Sequence, residues 1–321
     1  RFFDGTSWTT RQTFGESNLD STLHSESWDL TPYLDADTQI LFEISAWADG
    51  YIYFDNIHVE TDALTYVVNS TDDDYDNLPG DGVCNTGGLN TELNVKCTLR
   101  AAIEEANATA GADTINFNIP TSEAGYSASP LSFAISPSAG ALAITGETTL
   151  DATTQAEYVG NGNRPVVVLD GGSAGGVDGL ALTNGADGST IRGLLVRDFA
   201  GDGIEIQIGS DGNTIAASYI GRLETDGSDV GGGQENQGYG IRILGAGNTI
   251  GGPLAADGNV ISGNGTGEGG IFLTGASADG NVIQHNYIGT NAAGDAAIPN
   301  NLHGVRMTNA PNTQILDNLI S

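Results

Sequence analysis

The residues whose types and spacing suggest chemistry form a repeated column. Gly203-Ile204-Glu205-Ile206, Gly240-Ile241-Arg242-Ile243, Gly270-Ile271-Phe272-Leu273 and Gly304-Val305-Arg306-Met307 share one pattern, Gly-aliphatic-x-aliphatic. In a strand, alternation turns both aliphatic residues to one side and the middle residue to the other. Stacked in parallel at about 4.8 Å per strand, Glu205, Arg242, Phe272 and Arg306 are expected to share one outer face. Two arginines suit the carboxylate of an acidic sugar, and an aromatic ring suits its stacking. The same four residues also read as an ordinary cross-strand ladder on a solvated surface.

Two acidic groups stand beside this column. Arg197, Asp198, Asp202 and Glu205 gather in RDFAGDGIE. Polysaccharide lyases and glycosidases built on stacked coils need carboxylates with an Arg or Lys base, or paired acids. No matching acidic set occurs in GYGIRIL or HGVRM, so no catalytic residue is assigned. His285 and His303 are isolated and read as surface turn residues. The second group is Asp72-Asp73-Asp74-Tyr75-Asp76 with Gly80-Asp81-Gly82. Asp72, Asp74, Asp76 and Asp81 are spaced to wrap oxygens around Ca²⁺. The run departs from a calcium hand, since Asn77 stands where the sharp-turn glycine belongs and no acid takes the last ligand position. A solvated acidic loop is the alternative. Sequons occur at Asn69, Asn107 and Asn264 and carry little weight alone.

The elements that must position these residues follow from repetition. Gly212-Asn213-Thr214-Ile215 with Tyr219-Ile220-Gly221 recurs 68 residues later as Gly280-Asn281-Val282-Ile283 with Tyr287-Ile288-Gly289. Related units open at Gly247 and Gly258. The Gly-aliphatic-x-aliphatic units recur every 30 to 37 residues, which suits a coil of three short strands with longer turns at some corners. Hairpins do not repeat one motif in one phase, whereas stacked parallel coils do. Asn at the turns tolerates left-handed backbone and can bond its counterpart one coil up. Residues 221–240 and 289–304 are expected to be loops projecting from one corner.

Upstream, LTYVVNS reads as a strand leading through the acidic loop to CTLRAAIEEANATAGADTINFNIP. Thr98 is a plausible N-cap. Leu99, Ala102, Ile103 and Ala106 fall on one helical face, and Asn107 and Gly111 end the helix. The run Cys97-Thr98-Leu99-Arg100-Ala101-Ala102-Ile103, followed by a DTI-x-F strand, resembles the Cys-Ser-Leu-Arg-Glu-Ala motif of bacterial secreted β-helix proteins. It departs from that motif at Thr98 and Ala101. The resemblance implies a helix at the N-terminal mouth of a solenoid, where bare strand edges need a cover. Residues 1–60 carry all three tryptophans, and QILFEISAW and YIYFDNIHV alternate as strands around Asp49-Gly50. Their end, FDNIHVE, resembles the last strand of galactose-binding-type jelly rolls, which implies an incomplete β-sandwich and a sugar-binding module as one reading.

Bulk properties narrow the function. Of 321 residues 41 are acidic and 10 basic, for a net charge of −31, and 21 of the acids lie in residues 1–120. Acidity is therefore spread along the chain. Nucleic acid is disfavoured, because binding it requires clustered Lys and Arg, and Lys96 is the only lysine. Cys84 and Cys97, the only cysteines, read as a disulfide of an exported protein, with two free thiols as the alternative. No run is long enough to cross a bilayer. The chain opens on Arg1 and closes inside a repeat at Ser321, which reads as part of a longer polypeptide.

Together these observations predict an all-β chain: a partial sandwich over 1–60, a junction and cap over 61–120, and a right-handed parallel β-helix over 121–321. The expected role is an extracellular or cell-surface bacterial structural or adhesive protein, with glycans or further copies of itself as partners and Ca²⁺ as a candidate cofactor. A carbohydrate-active enzyme on an acidic glycan and a carbohydrate-binding module are the alternatives.

Overall fold

A computed structural model describes residues 63–321, together with three short strands at Phe2–Phe3, Trp8–Thr9 and Gln39–Ile40. The chain divides into two compact units, Arg1–Asp62 and Ala63–Ser321. In the first, the three short strands pair antiparallel, with Phe2–Phe3 in the middle. The turn at Asp49-Gly50, the second expected strand and the FDNIHVE segment lie outside the described residues.

The second unit is a parallel β-helix of three sheets. Its repeating coil is seen in Ile204–Ile206, Thr214–Ala216 and Tyr219–Gly221, which enter the third, first and second sheet in turn. The next coil follows as Ile241–Ile243, Thr249–Gly251 and Val260–Ser262. The first and second sheets have eight strands and the third has six. Pairing from coil to coil is parallel throughout, and the exception within these sheets is the hairpin Tyr126–Ala128 with Leu131–Ile135.

The repeated motifs have distinct physical jobs. Ile204, Ile241 and Ile271, with Ile206, Ile243 and Leu273, fill the interior of the third sheet at 0% exposure. The preceding glycines are needed for close approach: a Cβ on Gly203 would lie 2.7 Å from the carbonyl oxygen of Gly240, and one on Gly270 2.5 Å from that of Gly304. Asparagines turn inward at each corner and tie coil to coil. Asn248 Oδ1 accepts from Asn213 N at 2.8 Å, and Asn281 Oδ1 from Asn248 N at 2.8 Å. Asn259, Asn286 and Asn318 form a second ladder, and Asn236, Asn264 and Asn300 a third.

Two expectations are corrected here. The ladder asparagines do not hold the left-handed backbone; in most of them the residue before does, as at Gly212 (φ 69°), Gly247 (φ 65°) and His285 (φ 59°), whereas Gly258 before Asn259 stays at φ −62°. That arrangement turns the corner and leaves the asparagine free to face inward. The unit opening at Gly258 also belongs to a different sheet from those opening at Gly212 and Gly247, because Val260 pairs with Tyr219 while Thr249 pairs with Thr214. The 68-residue offset spans two coils, in keeping with a coil of 30 to 37 residues.

Helix α1, Leu99–Ala108, covers the first coil. Thr98 caps it, its hydroxyl accepting from Ala101 N at 3.1 Å, and Leu99, Ala102, Ile103 and Ala106 are buried. Its polar side chains satisfy the bare edge of Leu142–Ile144. Asn107 donates to Ala143 O at 2.7 Å and accepts from Thr145 N at 2.8 Å. The acidic loop closes over the outer side of α1. Glu105 accepts from Gly80 N and Gly82 N at 2.9 and 3.0 Å, and Arg100 makes a buried pair with Asp73. Cys84 and Cys97 are joined as a disulfide.

The two long corner loops do not project freely. Each closes with an antiparallel bridge, Leu223 with Asp229 and Thr290 with Ala297. They fold back so that Leu223 and Ile298 are buried with Val168, Leu195, Tyr219 and Val260 in a small second core outside the second sheet. The loops also touch each other, Ala292 N donating to Gly227 O at 3.1 Å.

Candidate functional site

The structure brings the expected column together on the outer face of the third sheet. Glu205 pairs in register with Arg242, Arg242 with Phe272, and Phe272 with Arg306. The strands below offer only Ala181 and Ala143 in this position, so the functional types begin at Glu205.

At the lower end, Arg242 Nη1 stands 3.4 Å from Glu205 Oε1 and 4.0 Å from Asp202 Oδ2. The other Glu205 oxygen accepts from Gln207 Nε2 at 2.8 Å. Asp202 lies almost buried at the start of its strand. Its Oδ1 accepts from Tyr239 N one coil up, and its own N–H donates to Asp178 Oδ1 one coil down, both at 2.6 Å. Burial, then the charges of Asp178 and Glu205, push its carboxyl up to about 6, against the Tyr239 N–H and Arg242.

At the upper end, Phe272 stacks on Tyr239 with ring centroids 4.7 Å apart. The Arg306 guanidinium sits 4.9 Å from the Phe272 centroid and donates from Nη1 to the Tyr239 hydroxyl at 3.0 Å. Burial and Glu268 raise the Tyr239 hydroxyl, so it stays a neutral phenol beside Arg306. Tyr239 was not visible as a site residue in the sequence. The signal that finds it is register: it precedes Gly240 as Asp202 precedes Gly203, which puts both on one rim of the sheet.

The acidic cluster seen in the sequence splits. Arg197 leaves for the second sheet, 3.3 Å from Asp170 Oδ2, and donates to Leu223 O at 3.1 Å, pinning the first long loop. Asp198 takes a left-handed backbone (φ 61°) at the rim of a shallow pocket lined by Gly171, Gly172, Gly175, Ala200 and Gln237. Burial and the charge of Asp170 raise its carboxyl. Asp202 and Glu205 remain with Arg242.

The four candidate calcium ligands are engaged by the protein itself. Asp72 and Asp74 both pair with Lys96. Asp76 accepts from Leu78 N and Asn85 N at 2.8 and 2.7 Å, and Asp81 from Val83 N at 2.9 Å. Among the described residues no group of three or more His, Cys, Asp or Glu side chains is arranged to hold a metal ion. His285 is a corner residue whose Nδ1 meets Gly252 O at 2.9 Å, and His303 is exposed. All three sequon amides are bound to backbone: Asn69 Nδ2 donates to Val95 O, Asn107 Nδ2 to Ala143 O, and Asn264 Nδ2 to Ile220 O.

No helix among the described residues is long and apolar enough to cross a membrane. No protein-family model and no curated protein matches the chain. Among solved structures, the crystal structure of the Dettilon tailspike protein matches with a TM-score of 0.37 and 15% identity. The match covers 66% of this chain and 33% of that one, so this chain spans about a third of the tailspike's length.

Proposed function

We propose that this chain is an extracellular, surface-exposed structural or adhesive protein, with the β-helix as its rod. The observation that carries this reading is the direction of its polar bonding. The three asparagine ladders and the strand pairing all run from coil to coil, along the rod. A pull along the axis loads all the bonds of one coil interface together, which is the arrangement a fibre or stalk requires. The disulfide fits an oxidising compartment, and the Cys97–Ile103 motif fits secreted bacterial β-helix proteins. The test is incubation with uronic-acid and neutral polysaccharides, with and without calcium, followed by chromatography and reducing-end assays. No turnover is expected; chain cleavage would overturn the reading.

A carbohydrate-active enzyme is the second reading, and one observation favours it. Asp202, raised to about 6, stands with Glu205 around Arg242, a set with one carboxyl able to hold a proton near neutrality. If cleavage occurs, Asp202→Asn should abolish it.

A further inference from the structure

Among the described bases, Lys96, Arg100, Arg192, Arg197, Arg222 and Arg242 each have a carboxylate within 4.0 Å. Arg306 has none. It is exposed, and two aromatic side chains hold it in place: the Phe272 ring at 4.9 Å and the Tyr239 hydroxyl at 3.0 Å. In a chain of net charge −31, this fixed guanidinium has no carboxylate within 4.0 Å among the described residues and meets Glu268 only across the Tyr239 hydroxyl, so its free edge is a local positive site. Its planar fork matches a carboxylate in two-point contact, and the ring beside it has already oriented the fork.

The rest of the face has the opposite chemistry. Glu205 and Asp202 accept hydrogen bonds and repel anions, and the net charge repels any polyanion at long range. From Glu205 to Arg306 the face spans three coil steps, about 14 Å at the usual strand spacing. That is room for a short oligosaccharide lying along the rod.

We propose that this face binds a glycan whose chain is mostly neutral and carries isolated uronic-acid carboxylates, with Arg306 taking the carboxylate. Glu205 and Arg242 then meet sugar hydroxyls, and Phe272 and Tyr239 give the apolar edge beside them. The proposal rests on the adhesive reading and names its partner.

The test is calorimetric titration of the whole chain with three sets of short oligomers: alternating uronate and neutral hexose, all uronate, and all neutral. The alternating set should bind best. Arg306→Ala should weaken it roughly 10- to 100-fold, the range of a charge-assisted contact, and Arg306→Lys should restore only part of the loss. Arg222→Ala, which removes an arginine already paired with Asp229, should leave binding unchanged. Thermal midpoints of all variants show whether each is folded. Equal binding of the neutral set, unchanged affinity in Arg306→Ala, or no binding of any oligomer overturns the proposal. The last result leaves the rod reading standing, whereas polysaccharide cleavage overturns the rod reading by a separate measurement.

Discussion

Asn264 shows what a single side chain does in this molecule. It is 1% exposed, accepts from Asn236 Nδ2 at 3.0 Å, and donates to Ile220 O and Asn300 Oδ1 at 2.9 and 3.0 Å. Replacement by Ala leaves several buried groups without partners, so Asn264→Ala should lower stability by roughly 2 to 3 kcal/mol, measured as a shift in the urea midpoint. A change within error would mean that the ladders contribute little. Such inward asparagines were half legible in the sequence. Their spacing announced a coil-to-coil contact, but where the corner is left-handed it is the preceding residue that holds it, as Gly263 (φ 68°) does before Asn264. The four-residue column was legible for the same reason of strand alternation. Tyr239 was not, because it lies outside the strand motif and reaches Phe272 by leaning across the face.

At the scale of elements, the cap is the part most sensitive to pH and redox state. Glu105 is fully buried in α1, and burial, ahead of the charges of Asp76 and Asp81, pushes its carboxyl from 4.5 up to about 7. The folded state therefore holds a proton that the unfolded chain has released. The stability this contributes is complete below about pH 4.5 and is lost as pH rises through about 7. Glu105→Gln should flatten that part of the stability-against-pH curve; an unaltered slope would assign it elsewhere. Reduction of Cys84–Cys97 frees a loop whose ends are 13 residues apart, and should cost about 3 kcal/mol by chain entropy, read as a fall in the urea midpoint with reductant. The acidic loop offers a third test. Lys96 already neutralises Asp72 and Asp74, the place a divalent ion would take. Calcium should therefore raise the thermal midpoint of Lys96→Met more than that of the parent chain. The opposite order would place any bound calcium elsewhere.

For the whole molecule, the dominant long-range term is self-repulsion from a net charge of −31. Screening it should raise the thermal midpoint as salt increases from low ionic strength to a few tenths molar. A falling midpoint would mean that ion pairs such as Arg100–Asp73 outweigh the repulsion.

The sequence alone determined the repeat, the parallel stacking, the capping helix and the composition of the outer column. Each depends on local periodicity: alternation fixes which side a residue faces, and a motif recurring in one phase fixes the stack. Tertiary structure decided what periodicity cannot. Arg197 and Asp202 are near neighbours in sequence but lie on different sheets, because a corner stands between them. The long loops fold back because Leu223 and Ile298 find Tyr219 and Val260 to cover. Arg306 is held by Phe272 and Tyr239 from two lower coils, and it meets Glu268 only across the Tyr239 hydroxyl.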